Sequence, residues 1–478
     1  MVSVELESVK NSVGRRWADD VLPSLSDLVA IPALSPVFDP EWAEHGHLDE
    51  AVRHVRSWLD AADLPGATTD VVRLPGRSPV LLLDVPATEE PQGAEDRGTV
   101  LMYGHLDKQP PVGGWADGLG PWTPVIRDGR LYGRGSADDG YAGYAATVAL
   151  AAVREAGGSH ARTVVLLETG EESGSPDLPA YLDHLTDRLG RVSLVVCLDS
   201  GGNDYERLWL TTSLRGMAQV DVTVRVLETA QHSGLASGVV PSSFRVMRAL
   251  LDRVEDSATG QLKLGACHVE IPANRIAETR ATAESAPGSV VGAWPWHGTT
   301  GPVVADEVEL LLNNSWRPTL SVIGASGLPE PADAGNVLRA GTTLALSFRL
   351  PPTADSEAAL AAISRALTTE VPYGATVELS GLEAADGWNA PALSPWLATA
   401  LERVSDDVFG APWRSVGLGG SIPFMGLLGE KYPEAQFLVT GALGPDSNAH
   451  VPDEWLHLDQ AQRVTEAVAT VLDAHSRS

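Results

Sequence analysis

Thr99-Val100-Leu101-Met102-Tyr103, followed at once by Gly104-His105-Leu106-Asp107, decides how this chain is read. The first five residues form a short, nearly uniform apolar run without polar alternation, which is how a strand buried on both faces reads. Val80-Leu81-Leu82-Leu83-Asp84-Val85, Thr163-Val164-Val165-Leu166-Leu167 and Leu194-Val195-Val196-Cys197-Leu198 have the same character. Residues 141–156 between them read as an Ala-rich helix. Strand, turn and helix in alternation predict an α/β domain, and such sheets bind ligands just past the carboxyl ends of their strands. Polar segments stand at those places. Gly104-His105-Leu106-Asp107, Glu171-Glu172-Ser173-Gly174 and Asp199-Ser200-Gly201-Gly202 follow strands, and Ser136-Ala137-Asp138-Asp139-Gly140 opens the helix. A fifth segment, Ala449-His450-Val451-Pro452-Asp453-Glu454, lies far downstream.

Outward from this core, residues 3–31 and 48–63 read as helices, the second with an apolar stripe through Val52, Val55, Trp58 and Leu59. The pattern changes near Ser213. Residues 217–226 alternate as a half-exposed strand does, and a helix follows at 242–256, then a loop-rich stretch over 257–300. Strands near 320–323 and 342–350, a helix at 355–369 and a strand at 376–380 complete a β-α-β-β-α-β order, that of an α+β two-layer sandwich. After about residue 384 the earlier pattern returns and delivers His450. The expected organisation is a discontinuous catalytic domain, 1–213 and 384–478, with an insert over 214–383. A chain of 478 residues fits two cores better than one.

Composition narrows the function classes. A hydrophobic fraction of 44% with 20% charged residues is globular. No apolar run reaches the roughly 18 residues a membrane span needs, and residues 1–17 lack an apolar signal core. The formal charge of −29, from 34 basic and 63 acidic side chains, repels phosphate backbones and argues against a nucleic-acid partner. Two cysteines, Cys197 and Cys267, exclude a disulfide framework and fit a reducing cytoplasm.

Two histidines and several carboxylates at strand ends are what a pair of divalent cations needs, with a glutamate left to move a proton. His105 and Asp107 pair an imidazole ligand with a carboxylate able to accept its other ring N–H. Asp138 and Asp139 admit two readings, as helix-capping acids behind Ser136 or as a carboxylate bridging two cations. Glu171 and Glu172 likewise open a helix, or divide into a general base and a ligand. A serine nucleophile at Ser200 would need Gly-x-Ser-x-Gly, and residue 198 is Leu. The full Gly-x-Gly-x-x-Gly spacing of a dinucleotide loop is missing after Tyr132.

Taken together, Tyr103-Gly104-His105-Leu106-Asp107-Lys108-Gln109-Pro110, Leu131-Tyr132-Gly133-Arg134-Gly135-Ser136-Ala137-Asp138-Asp139 and Glu171-Glu172-Ser173-Gly174-Ser175 resemble the carnosinase, carboxypeptidase G and succinyl-diaminopimelate desuccinylase family of two-metal hydrolases, and its dipeptidase branch in particular. The resemblance spans essentially the whole chain. It implies a two-metal aminopeptidase-like catalytic domain, a mixed sheet flanked by helices, carrying an inserted α+β lid and dimerisation domain. His105, Asp138 and Asp199 would hold one metal; Asp138, Glu172 and His450 would hold the other. Glu171 would be the general base that turns a bridging water into the attacking metal-bridging hydroxide, Asp107 the orienter of His105, and Asp138–Asp139 a cis peptide. In the insert, Ala230-Gln231-His232-Ser233-Gly234 matches the lid motif whose histidine reaches the partner subunit's site. Asn336 and Arg349 keep the spacing of a polarising asparagine and a carboxylate-binding arginine, and Gly419-Gly420-Ser421-Ile422-Pro423 matches the loop at the substrate's carboxylate end. The residues alone also allow His232 and Asn336 to serve turns and Arg349 to pair on a strand surface. The implied cofactors are two divalent ions, zinc first, with manganese or cobalt as alternatives. The implied substrate is a dipeptide or short peptide, with an N-acyl amino acid as the alternative. Two departures stand out: Glu168 is followed by Thr169-Gly170 where the family has glycine directly, and Asn336-Val337-Leu338-Arg339 lacks the family's Ile-Pro.

Overall fold

The computed structural model describes residues 5–88, 97–420 and 423–478. Its centre is a six-stranded mixed sheet in the order Thr68–Val72, Val80–Val85, Thr163–Glu168, Thr99–His105, Val192–Cys197, Gln436–Val439. The last four strands run parallel to one another, while Thr68–Val72 and Val80–Val85 join antiparallel. Every residue of Thr99–His105 and Thr163–Glu168 is buried, so their uniform apolar character follows from cover on both faces.

One face is covered by Leu6–Arg16, Leu22–Ala30, His47–Asp60, Ala142–Glu155 and Leu458–Ser476, which share a core with Leu81, Val100, Met102 and Val165. Ala142–Glu155 is buried from Ala142 through Val153, and its small side chains let it lie close to the sheet. The expected helix over 3–31 is interrupted by a π-helical turn, Trp17–Val21, which places both Trp17 and Val21 fully inside. The opposite face packs Tyr103, Leu166 and Val195 against Tyr181, Phe424 and Leu428.

A second, four-stranded antiparallel sheet, Thr319–Ser326, Gly341–Leu350, Gly216–Arg225, Thr376–Ala385, has its own core. Val220, Val222, Leu346 and Phe348 point to the helices Ser243–Val254 and Ser356–Thr368, giving the predicted two-layer α+β unit. The stretch 257–300 departs from the sequence reading: it contains the helix Ala273–Ser285. That helix has no apolar stripe to announce it. Its buried side chains include Arg275 and Thr282, which bond to the Ala390 and Ser415 carbonyls at 2.7 and 2.6 Å.

Candidate metal centre

Three adjacent parallel strands end at one place. His105 closes its strand, Glu171 and Glu172 form a short turn after Thr163–Glu168, and Asp199 follows Val192–Cys197 by two residues. Asp138 comes from the turn before Ala142–Glu155, and His450 from the loop between Gln436–Val439 and Trp455–His457. That loop holds His450 with φ 65°, and Asp446, Asn448 and Asp453 are left-handed as well. The Asp138–Asp139 peptide is cis. At Gly104 an added Cβ would meet Ala142 Cβ at 2.8 Å and Asp139 Oδ2 at 2.9 Å, so only glycine lets the strand approach this turn.

The side chains converge in two groups that share Asp138. In His105, Asp138 and Asp199, and again in Asp138, Glu172 and His450, one ligand atom per residue lies within 4.8 Å of the others. His105 Nε2 stands 3.2 Å from Asp138 Oδ1 and 3.8 Å from Asp199 Oδ2. His450 Nε2 stands 2.8 Å from Asp138 Oδ2 and 3.4 Å from Glu172 Oε2. The two Asp138 oxygens thus face different histidines. Glu171 belongs to neither group, and its Oε2 lies 4.0 Å from His105 Nε2. A cleft of about 420 Å³ opens over Asp138, Glu171, Asp199 and His450.

Imidazole nitrogens and carboxylate oxygens in sets of three are a donor set that zinc, manganese and cobalt accept. The charge balance points the same way. Among the described residues no lysine or arginine pairs with Asp107, Asp138, Glu171, Glu172 or Asp199; their ion-pair partners are the two histidines.

Against this geometry, the sequence description of peptidase family M20/M25/M40 matches residues 101–474. The chain belongs to that family. It is 28% identical over 462 residues to the cysteinylglycine-S-conjugate dipeptidase of Corynebacterium striatum, covering 95% of this chain and 94% of that protein. Over 369 residues it is 25% identical to the Beta-Ala-His dipeptidase of Homo sapiens, covering 75% and 71%. The structure of the di-peptidase Dug1p from Saccharomyces cerevisiae superposes with a TM-score of 0.74 at 21% identity, covering all of both chains. At that identity the likeness establishes the fold.

In this family member, burial and clustered charge set the protonation tendencies. Burial pushes Asp138 upward, but hydrogen bonds to His105 and His450 outweigh it and hold the carboxyl below its usual range. Burial and then the Asp138 charge push Asp199 up to about 7 and Glu172 up to about 9. Such groups gain from a neighbouring cation, which would let them ionise.

Asp107 has two contacts. His105 Nδ1 lies 3.0 Å from the Asp107 main-chain carbonyl and 3.5 Å from its carboxylate. The carboxylate oxygens accept from the backbone N–H groups of Glu171 and Glu172 at 3.2 and 3.0 Å, fixing the turn that carries both. Sequence inspection misses this role, because nothing in the order of residues places those amides.

A second missed feature is a buried ion pair. Arg134 Nη1 donates to Glu454 Oε2 at 2.5 Å, both fully inside, and Glu454 Oε1 accepts from the Gly135 amide at 2.9 Å. Arg134 also donates to the Val451 carbonyl at 3.2 Å. The pair ties the turn carrying Asp138 to the loop carrying His450.

The insert's candidates lie elsewhere. Gln231–His232 pairs with Val337–Leu338 in a two-stranded ribbon, where His232 and Asn336 are exposed and Ser233 N donates to Asn336 O at 2.9 Å. Arg349 sits half-buried on Gly341–Leu350 opposite Thr319. Among the described residues none from 214–383 lines the cleft. Gly420 is exposed, and Ser421 lies outside the described residues.

Proposed function

We propose that this M20 peptidase hydrolyses dipeptides, with His105, Asp138 and Asp199 holding one divalent ion and Asp138, Glu172 and His450 the other. The observation that carries the reading is the pair of donor groups sharing one carboxylate, with Glu171 beside His105 and in neither group. Two relatives that bear dipeptidase names support the substrate class. Zinc is the first choice, with manganese or cobalt also suited to carboxylate-rich donors.

When bound, the ions would polarise the scissile carbonyl and acidify the attacking water. Glu171 Oε2 takes the proton from that water and later gives it to the leaving amine. Asp107 fixes the glutamate turn and supports His105. Arg349 pairs with the substrate's terminal carboxylate, and Gly420 and Ser421 contribute to binding it. His232, helped by Asn336, supports the developing oxyanion of a second copy's site. This assigns 214–383 as a lid between catalytic segments 1–213 and 384–478, and makes the enzyme a homodimer through that lid. The exposure of His232 and Asn336 supports action in trans, as do the exposed Val322 and Ile323 on the edge strand Thr319–Ser326. No described helix is long and apolar enough to cross a membrane, and we place the enzyme in the cytoplasm.

The test is hydrolysis of a dipeptide panel by metal-stripped and zinc-, manganese- or cobalt-reconstituted protein, beside the N-acetylated form of each dipeptide. Cleavage of free-amine dipeptides that needs added metal is expected. Cleavage of only the acylated forms would replace this reading with an acyl-amino acid deacylase, and no cleavage of either would remove it.

A further inference from the structure

Arg215 is a buried cation with no carboxylate partner among the described residues. It is 7% exposed. Its Nε donates to the Gly419 carbonyl at 3.0 Å and its Nη1 to Thr319 Oγ1 at 3.2 Å, both neutral acceptors. No acidic side chain pairs with it among the described residues. Arg349 stands directly opposite Thr319 in the sheet, close enough for its charge to act on Arg215. Burial, then the Arg349 charge, pulls the Arg215 guanidinium down to about 10. A guanidinium so placed is costly until an anion joins it.

Arg215 also lines a cavity of about 270 Å³, whose other walls include Val290, Val291, Trp294, Trp296, Val303 and Leu310. Trp294 and Trp296 are 56% and 41% exposed, and Trp296 is held by Nε1 donation to the Val291 carbonyl at 2.8 Å. This is an apolar concavity with one buried cation, a combination that suits a ligand with an apolar body and an anionic end. It adjoins the metal cleft. Leu418 lines that cleft, and at the next residue, Gly419, an added Cβ would meet Arg215 Nη2 and Asn314 Oδ1, each at 2.9 Å. One residue of chain, about 3.8 Å, therefore separates a wall of the cleft from a wall of the cavity.

We infer that Arg215 joins Arg349 in binding the terminal carboxylate of the substrate, and that the cavity walled by Trp294 and Trp296 receives the side chain of the leaving residue, so that the enzyme prefers dipeptides ending in a bulky apolar or aromatic amino acid. The inference rests on the dipeptidase reading for its substrate and adds the specificity of its carboxyl-terminal side.

The test compares Ala-Phe, Ala-Leu and Ala-Gly, each with its C-terminal amide, on wild type, Trp294→Ala/Trp296→Ala and Arg215→Met. Wild type should favour Ala-Phe and Ala-Leu over Ala-Gly by about tenfold or more in kcat/KM. The double tryptophan variant should lose that preference through KM, with the loss on Ala-Phe and Ala-Leu far exceeding that on Ala-Gly. Arg215→Met should reduce the wild-type discrimination between acid and amide. A wild type indifferent to the last residue, an equal loss on Ala-Phe and Ala-Gly in the tryptophan variant, or undiminished acid-over-amide discrimination in Arg215→Met would overturn the assignment. Should Arg215→Met not fold, the surface tryptophan variant still decides the cavity. Calorimetric titration with free L-phenylalanine and glycine needs no turnover. Phenylalanine binding that the tryptophan substitutions weaken supports the cavity even if no dipeptide is cleaved, and phenylalanine binding unchanged by them overturns it.

Discussion

The cleft at the sheet end and the ribbon Gln231–His232/Val337–Leu338 hold their candidate residues in opposite circumstances. In the cleft, His105, Asp138 and Asp199 are buried, and with the half-buried Glu172 and the exposed His450 they share partners and lie within a few ångströms of one another. On the ribbon, His232 and Asn336 are exposed, and the His232 ring accepts only from the nearby Gly234 amide among the described residues, at 3.1 Å. A complete donor set within one chain implies chemistry that chain can assemble itself. Exposed residues of reactive type with no such set around them imply that their counterpart comes from elsewhere.

The sharpest way to break this contrast is at Glu171. Glu171→Gln should keep both metals and lower kcat by several orders of magnitude, at or beyond the roughly 10²–10⁴ typical of general acid–base groups; kcat near wild type removes Glu171 from the role. The scaffold beneath comes next. Arg134→Met leaves Glu454 buried and unpaired, which costs about 3–5 kcal/mol. It should lower the unfolding midpoint and loosen the ion at Asp138, Glu172 and His450 more than the other. Equal metal affinity at both sites would contradict a clamp on the His450 loop.

On the ribbon, His232→Ala should reduce kcat about 10²–10³-fold, the usual cost of one oxyanion donor, with metal content unchanged. Mixed with Glu171→Gln protein it should regain part of the activity, since one site of each mixed dimer then has both groups. Verified mixed dimers without recovery would confine His232 to its own chain. Ile323→Lys places a charge on the exposed apolar edge and should shift the protein toward monomer in sedimentation, with activity falling in step. Full activity in a monomer would separate the ribbon from the cleft.

A residue remote from both regions gives the smallest effect. His160 accepts from Arg154 Nε at 2.8 Å, and burial, the largest influence, lowers it from 6.5 to about 4. The unfolded chain takes up that proton first, so stability should fall as pH drops from 6.5 toward 4. His160→Gln should flatten that slope in thermal melts, and an unchanged slope would assign the acid sensitivity to other groups.

Much of this was legible in the sequence because burial on both faces leaves a plain mark. The runs at 80–85, 99–103 and 163–167 are strands, and the segments just beyond them supply His105, Glu171 and Glu172. The helix Ala273–Ser285 was illegible because part of its buried face is polar and satisfied by bonds to distant carbonyls. Arg134 and Glu454 are 320 positions apart, and neither signals the other. Asp107 could be read as a companion of His105, but not as the acceptor of two amides in another turn. Arg215 escaped notice because an arginine at a strand junction is ordinary until its neighbours prove to be another arginine and an apolar cavity.

Metal content per chain tests the central claim most directly, measured by elemental mass spectrometry on protein reconstituted with zinc and freed of excess ion. Wild type and Glu171→Gln should each carry two equivalents, and Asp138→Asn, which alters the carboxylate common to both groups, should carry fewer than one. Two equivalents retained by Asp138→Asn would contradict the shared centre.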